Sequence, residues 1–220
     1  MIWPALKLSL LVVSIATALI VVAGTAVGFL LAKRKFRGKD LLDALFTLPM
    51  VLPPTVTGYY LILLLGRRGL LGKPLYLLTG WAVTFTWIAA VIAATVIALP
   101  LMIKSARAAI ETVDSEYEIA SYLMGRSELE TFFRVTLPLA GRGILAGVVL
   151  SFARAFGEFG ATLMLAGNIP GKTQTMPLAI YEAVASGEDE RAKWLALILT
   201  GISVAVVYLT NRLSRPKGKR

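Results

Sequence analysis

The sequence predicts an all-α integral membrane protein with about five spanning helices, and three observations carry the prediction. Hydrophobic residues make up 57% of the 220-residue chain and charged residues 16%, a balance far more apolar than a soluble domain shows. Residues 8–32, 44–66, 74–103 and 194–211 carry no charge, and each run reaches the roughly 20 residues that cross a hydrocarbon core. A fifth run, 143–166, has the length but includes Arg154 and Glu158. The cations, finally, are divided unevenly between alternate connections. With the amino terminus outside, the inner segments hold Lys33, Arg34, Lys35, Arg37, Lys39, Lys104, Arg107, Arg126, Arg134, Arg142, Arg212, Arg215, Lys217, Lys219 and Arg220. The outer segments hold only Arg67, Arg68, Lys73, Lys172, Arg191 and Lys193. The positive-inside rule therefore selects an outer amino terminus and a cytosolic carboxyl terminus. On this reading the net charge of +10 reports topology, and no nucleic-acid partner is expected.

The spans fall at about residues 7–32, 44–66, 82–105, 141–166 and 193–213 of a single domain covering 1–220, with a cytosolic loop at 106–140. The first is too long for the apolar core of a secretory signal, and LAKRKFRGK follows it at once, so it stays in the membrane. The second contains Pro49, Pro53 and Pro54 within LPMVLPPTVTG. Proline in a spanning helix bends it and frees carbonyls, which fits either a static kink or a moving, cavity-lining segment. Thr55 and Thr57 follow directly and could offer hydroxyls to a path.

Between the third and fourth spans lies the one sizeable polar segment. Two helix-start patterns stand in it, Ser115 with Glu118 and Ser127 with Glu130, each spaced as a capping box. Gly125 separates them. The expectation is a short helix over 116–124, a glycine stop, a second helix over 128–135 and a break at Pro138. Ile119, Tyr122 and Leu123 share one face of the first helix at i, i+3, i+4 spacing. Such a face either folds back on the chain's own bundle or packs on another protein. Glu111, Asp114, Glu116, Glu118, Glu128 and Glu130 make the segment acidic, so phosphate would be repelled.

In the fourth span Ser151, Arg154 and Glu158 lie on SFARAFGEFG, with the two charges one helical turn apart. An intramembrane charge faces the protein interior or water. The pair fits a gate or pore element, in which Arg154 attracts an anion and Glu158 compensates it when the path is empty, and equally an ion pair between packed helices. Gly24 with Gly28 and Gly143 with Gly147 form GxxxG pairs that let helices approach closely, within one chain or between two copies. The stretch AGNIPGKT, residues 166–173, approaches the phosphate-loop pattern, but it follows a membrane helix, carries Pro170 and lies on the outer face. Turns about Asn168, Pro170 and Gly171 are expected instead. With no cysteine and no histidine, the chain lacks the usual metal ligands and general base. No catalytic centre, metal site or cofactor is expected.

GRSELETFFRVTLPLAGRGILAG, preceded by EIASYLM, resembles the "EAA" loop of ABC importer permeases. Gly125, Val135, Leu137 and Pro138 keep its spacing, Ala120 and Ser121 stand at its alanine positions, and Ile119 occupies its glutamate position with Glu118 one place earlier. KRKFRGKDLLDALFTLPMVLPPTVTGYYLILLLGRRGLLG, FARAFGEFGAT and GNIPGKTQTMPLAIYEAV are similar to the molybdate branch, beside the sulfate and tungstate branches. The resemblance implies a permease subunit of the prokaryotic inner membrane, without ATPase activity of its own. It also implies a coupling helix docked on a cytosolic ATP-binding subunit, two copies of each chain, and an external oxyanion-binding protein. Glu116, Glu118, Ile119, Ala120, Ser121, Tyr122, Leu123, Gly125, Leu137 and Pro138 are then the coupling residues. Thr55, Thr57, Ser151, Arg154 and Glu158 are the path or gate candidates. An ion-coupled secondary transporter is the alternative; it would need membrane acidic residues and internal repeats, and Glu158 is the one acidic residue available. A membrane-embedded enzyme would need clustered nucleophiles or metal ligands, and none stand out.

Overall fold

The computed structural model describes residues 2–214, so Arg215, Lys217, Lys219 and Arg220 lie outside the described residues. Helix α1, Ile2–Lys33, is continuous through its apolar run and ends in Lys33, a cation suited to the negative end of a helix. Helices α2, Lys39–Val51, and α3, Pro54–Leu65, follow, and then the short α4, Gly72–Thr79. Helix α5, Trp87–Glu111, is capped by the Thr86 hydroxyl, which accepts from Ala89 N–H, and runs through Pro100. After it come α6, Ser115–Leu123, and α7, Glu128–Thr131. A π-turn over Phe132–Thr136 leads into α8, Leu137–Phe156. Helices α9, Gly160–Ala166, α10, Met176–Ala185, and α11, Asp189–Ser214, complete the described chain.

Among the described residues, four helical stretches are long and apolar enough to cross a membrane: Ile2–Lys33, Trp87–Glu111, Glu128–Phe156 and Asp189–Tyr208, with α2 and α3 together as a fifth. That fifth is not the single bent helix expected over 44–66, because its halves diverge by 117°. Leu52 and Pro53 each precede a proline, which disfavours the helical backbone at both positions, and their ψ angles of 145° and 136° take the chain out of the helix there. The run at 141–166 is likewise two helices, α8 and α9, interrupted at residues 157–159. The third run also differs: residues 72–79 form α4, and α5 continues to Glu111.

Helix α5 is the hub. Its buried Ala89, Ala90, Ala93, Ala94, Ile97, Met102 and Ala106 meet Val13, Ala16 and Ile20 of α1 and Ile144 and Ala155 of α8 in one core. Both GxxxG pairs are spent inside this chain. A Cβ on Gly24 would lie 2.6 Å from Met102 Cγ, one on Gly28 2.8 Å from Ala106 Cβ, one on Gly143 2.5 Å from Ala109 Cβ and one on Gly147 2.7 Å from Ser105 Cβ. At the end carrying α6, Asp43 of α2 accepts from Lys104 Nζ at 2.6 Å and Arg107 Nη1 at 2.9 Å. At the other end a smaller cluster of Ala5, Met176, Ala179, Ala183 and Leu195 joins α1, α10 and α11.

Candidate functional site

The segment from Asp114 to Thr136 is built from two helix starts and a stop. Asp114, one residue earlier than the expected Ser115, caps α6 by accepting from Glu116 N–H at 3.0 Å. Aspartate caps as well as serine, so the Ser115–Glu118 box does not form and Glu118 is free to turn inward. The helix ends in a paired stop: Gly125 N–H donates to Tyr122 O at 2.9 Å and Arg126 N–H to Ser121 O at 3.3 Å, with Gly125 at φ 78°. This is the glycine-terminated Schellman arrangement. The second capping box does form, with Ser127 N–H on Glu130 Oε2 at 3.0 Å and Glu130 N–H on Ser127 Oγ at 3.3 Å.

Pro138 does not break the helix as expected. The chain runs as one helix over Glu128–Phe156, because the π-turn Phe132–Thr136 precedes it, with Leu137 N–H reaching back to Phe132 O. The wider π-turn accommodates the missing proline donor near the first turn of α8.

The inner face of α6 is polar and fully paired. Glu118 is 8% exposed, and its carboxylate takes Lys33 Nζ at 2.7 Å and Thr136 Oγ1 at 2.6 Å. Ser121 and Thr131 hydroxyls, both buried, pair at 2.9 Å. Phe29 of α1 meets Phe132 edge to face at 4.9 Å between centroids. Of the expected coupling residues, Glu116, Ile119, Ala120, Tyr122, Leu123, Gly125 and Pro138 are exposed, Leu137 is half-buried, and Glu118 and Ser121 are buried behind them. Leu123 is 84% exposed and Met124 66%, so α6 presents an apolar outer face on a polar, internally satisfied back. Tyr122 edges a cleft of about 400 Å³ with Phe29, Lys33, Arg34, Glu118 and Glu128. Although Tyr122 is 46% exposed, its phenol is pushed above the ordinary value of 10.0 first by partial burial against the cleft, and then by the charges of Glu118 and Glu128.

The two interruptions in the bundle face each other. A Cβ on Gly160 would lie 3.1 Å from Pro54 Cβ and 3.3 Å from Thr55 N, and one on Gly58 2.9 Å from Ala161 Cα, so the start of α3 packs directly on α9. Glu158 lies in the gap between α8 and α9 rather than on one continuous helix with Arg154. Its Oε2 accepts from Arg154 Nη1 at 2.7 Å and its Oε1 from Ala161 N–H at 2.8 Å, so it both neutralises the arginine and caps α9. Its side chain is 1% exposed, that of Arg154 35%. Thr55 is exposed, whereas Thr57 and Ser151 are buried and their hydroxyls find no hydrogen-bond partner among the described residues.

The glycine-lysine-threonine stretch is a closed turn. Lys172, Thr173 and Gln174 N–H all converge on Ile169 O, and Thr173 Oγ1 accepts from Ile169 N–H and donates to Gly167 O. The groups a phosphate would need are already engaged.

Residues 24–216 match the model of the binding-protein-dependent transport system inner membrane component family. The chain belongs to this family. Family membership places it in the inner membrane as a transport component and gives the interrupted bundle its context. Among relatives, the molybdenum transport system permease protein ModB of Escherichia coli K12 is 41% identical over 99% of this chain and 97% of its own. The putative molybdenum transport system permease protein YvgM of Bacillus subtilis is 43% identical over 93% and 90%. The sulfate transport system permease protein CysW of Synechococcus elongatus is 36% identical over 98% and 75%. Among solved structures, a chain of the MetNI methionine ABC transporter in an inward-facing conformation superposes with a TM-score of 0.70 at 14% identity, covering 97% of this chain and 93% of that one. The fold of this family member is therefore the ABC permease fold. Sequence reasoning missed the Lys33–Glu118–Thr136 contact, for which no local spacing exists, and the Asp114 cap, for which the residue type at 114 was a signal.

Proposed function

We propose that this chain is the transmembrane subunit of an ATP-driven importer of molybdate or a like tetrahedral dianion, tungstate or sulfate, with ATP hydrolysed on a separate cytosolic subunit. The observation that carries the reading is α6: a short helix with an exposed apolar face of Ile119, Leu123 and Met124, locked from behind by Glu118 and Ser121. A face of this kind fits a groove on a partner, and the molybdenum permease relatives supply the substrate class. Glu116, Ile119, Ala120, Tyr122 and Leu123 make the contact, Gly125 ends it, and Leu137 and Pro138 carry it into α8.

Two copies form the path, each with its amino terminus outside and its carboxyl terminus in the cytosol, and two ATP-binding subunits dock beneath. An external oxyanion-binding protein delivers substrate near Lys73 and residues 167–190. Within the membrane Arg154 supplies the attraction and Glu158 the compensating charge, with Thr55, Thr57 and Ser151 as hydroxyl donors. A pathway must release what it admits, and a guanidinium already paired to a carboxylate is a weak, exchangeable anion contact. The two states of the ATPase must bind α6 at different spacings for hydrolysis to move the path.

Uptake by reconstituted vesicles tests this reading. Molybdate entry is expected only with the ATPase, the binding protein and ATP together. Entry through this chain alone, driven by an ion gradient, would overturn it in favour of a secondary carrier.

A further inference from the structure

Three helices meet at one carboxylate. Glu118 sits in the first turn of α6, Lys33 in the last turn of α1, and Thr136 in the π-turn that feeds α8. The two charges also suit the helix ends that bear them, an anion at the start of α6 and a cation at the end of α1. Because Glu118 is 8% exposed, sliding α6 relative to α1 by a few ångströms would strand a buried carboxylate, so the two helices move together or the pair breaks.

From α1 the displacement has a rigid continuation. Gly24 and Gly28 seat α1 against Met102 and Ala106 of α5 with no room for a methyl group, and packing this close transmits a shift rather than absorbing it. Below that contact, Phe29 lies edge-on to Phe132, and Arg34 pairs with Glu128 at the exposed rim. Exposed pairs contribute little, which leaves the buried one as the joint.

We propose that Lys33, Glu118 and Thr136 are positioning residues that carry the motion of α6 into α1, and through α1 into α5, in addition to the direct covalent route from α6 through the π-turn into α8. This rests on the function proposed above. On this view Glu118 does not recognise the ATPase; it ties the recognition helix to the amino-terminal span.

The test uses the full complex in vesicles, with the ATPase and binding protein present, and reads molybdate taken up per ATP hydrolysed. Lys33→Met and Glu118→Gln are each expected to lower that ratio roughly tenfold, the scale of a typical coupling between sites, while the ATPase still co-purifies. The exchange Lys33→Glu with Glu118→Lys is expected to recover most of the ratio. Thr136→Val, which keeps the shape and removes one of the two bonds, is expected to lower it less and guards against misfolding of the charge variants. An unchanged ratio in Thr136→Val and in either charge variant, with the complex intact, would overturn the joint. Absence of ATP-driven uptake by the unaltered chain would overturn the proposed function itself, and the joint with it.

Discussion

Two ion pairs in this protein have the same length and different mechanics. Lys33–Glu118 and Arg154–Glu158 both close at 2.7 Å, and both carboxylates are buried, with side-chain exposures of 10% and 1%. The partners of the first lie 85 residues apart and on different helices; those of the second are four apart. The second oxygen of Glu118 takes a hydroxyl from another element, Thr136, whereas that of Glu158 takes Ala161 N–H from the chain just ahead of it. The first pair therefore ties elements together, and the second holds the shape of one interruption. What a buried ion pair does in this molecule is set by what its carboxylate's other oxygen holds.

Removing one cation has the largest expected effect. Arg154→Met leaves Glu158 charged and buried with only a backbone donor, and should cost about 3 kcal/mol, at the low end for a broken buried pair because the arginine is part-exposed. Unfolding in detergent should show it, and Arg154→Met with Glu158→Gln should recover most of the loss, since no uncompensated charge remains. A single variant as stable as the parent would mean that Glu158 is solvated in the membrane, and the local pair would lose its structural role.

The next largest effect probes what the long-range pair acts through. Gly28→Val places a branched side chain where a Cβ alone would lie 2.8 Å from Ala106 Cβ and 3.0 Å from Arg107 N. Overpacking of this kind should cost about 2 kcal/mol, again measured by unfolding. An unperturbed variant would show that α1 and α5 are slack, and that nothing passes between them.

How far these features could be read in the sequence follows the same division between local and distant. Arg154–Glu158 was legible because helix geometry brings positions four apart together whatever the fold, and the contact survives even though α8 ends between them. Ser127–Glu130 was legible for the same reason. Ser115–Glu118 had identical spacing and misled, because Asp114 competes for the cap and wins. The prolines at 53 and 54 signalled an interruption but not its 117° angle, which depends on α3 finding α9. The paired glycines announced close contacts without naming the helix that fills them, which is α5 in both cases. Lys33–Glu118 had no signal, since nothing local relates two residues whose distance is decided by the packing of α1 on α5.

A smaller effect tests the register of α6 on which the long-range pair depends. Gly125 holds φ 78° with open space around it, so the obstacle to a side chain is the backbone alone. Gly125→Val should cost about 1 kcal/mol for a left-handed β-branched residue. It should also loosen the stop, turn the exposed face of α6 and abolish co-purification with the ATP-binding subunit, while membrane insertion is retained. Unchanged co-purification would show that the face, and not its register, decides docking.

The smallest expected change is a spectroscopic one and reads the long-range pair without breaking the fold. Tyr122 lies beside Glu118, and its phenol titrates above 10.0 because burial disfavours the phenolate and the carboxylates of Glu118 and Glu128 repel it, with Arg34 opposing them. For an acid raised in the folded state, the stabilisation from its neutral form is complete below 10.0 and disappears as pH climbs through the higher folded value. The alkaline limb of stability should therefore flatten in Tyr122→Phe. Subtracting the tyrosinate absorbance of Tyr122→Phe from that of the parent isolates this one phenol. In a Glu118→Gln background its titration should move down toward 10.0 but not reach it, since burial, the largest cause, and Glu128 remain. A titration that does not move would place the Glu118 carboxylate away from Tyr122, and with it away from the cleft where Lys33 holds it.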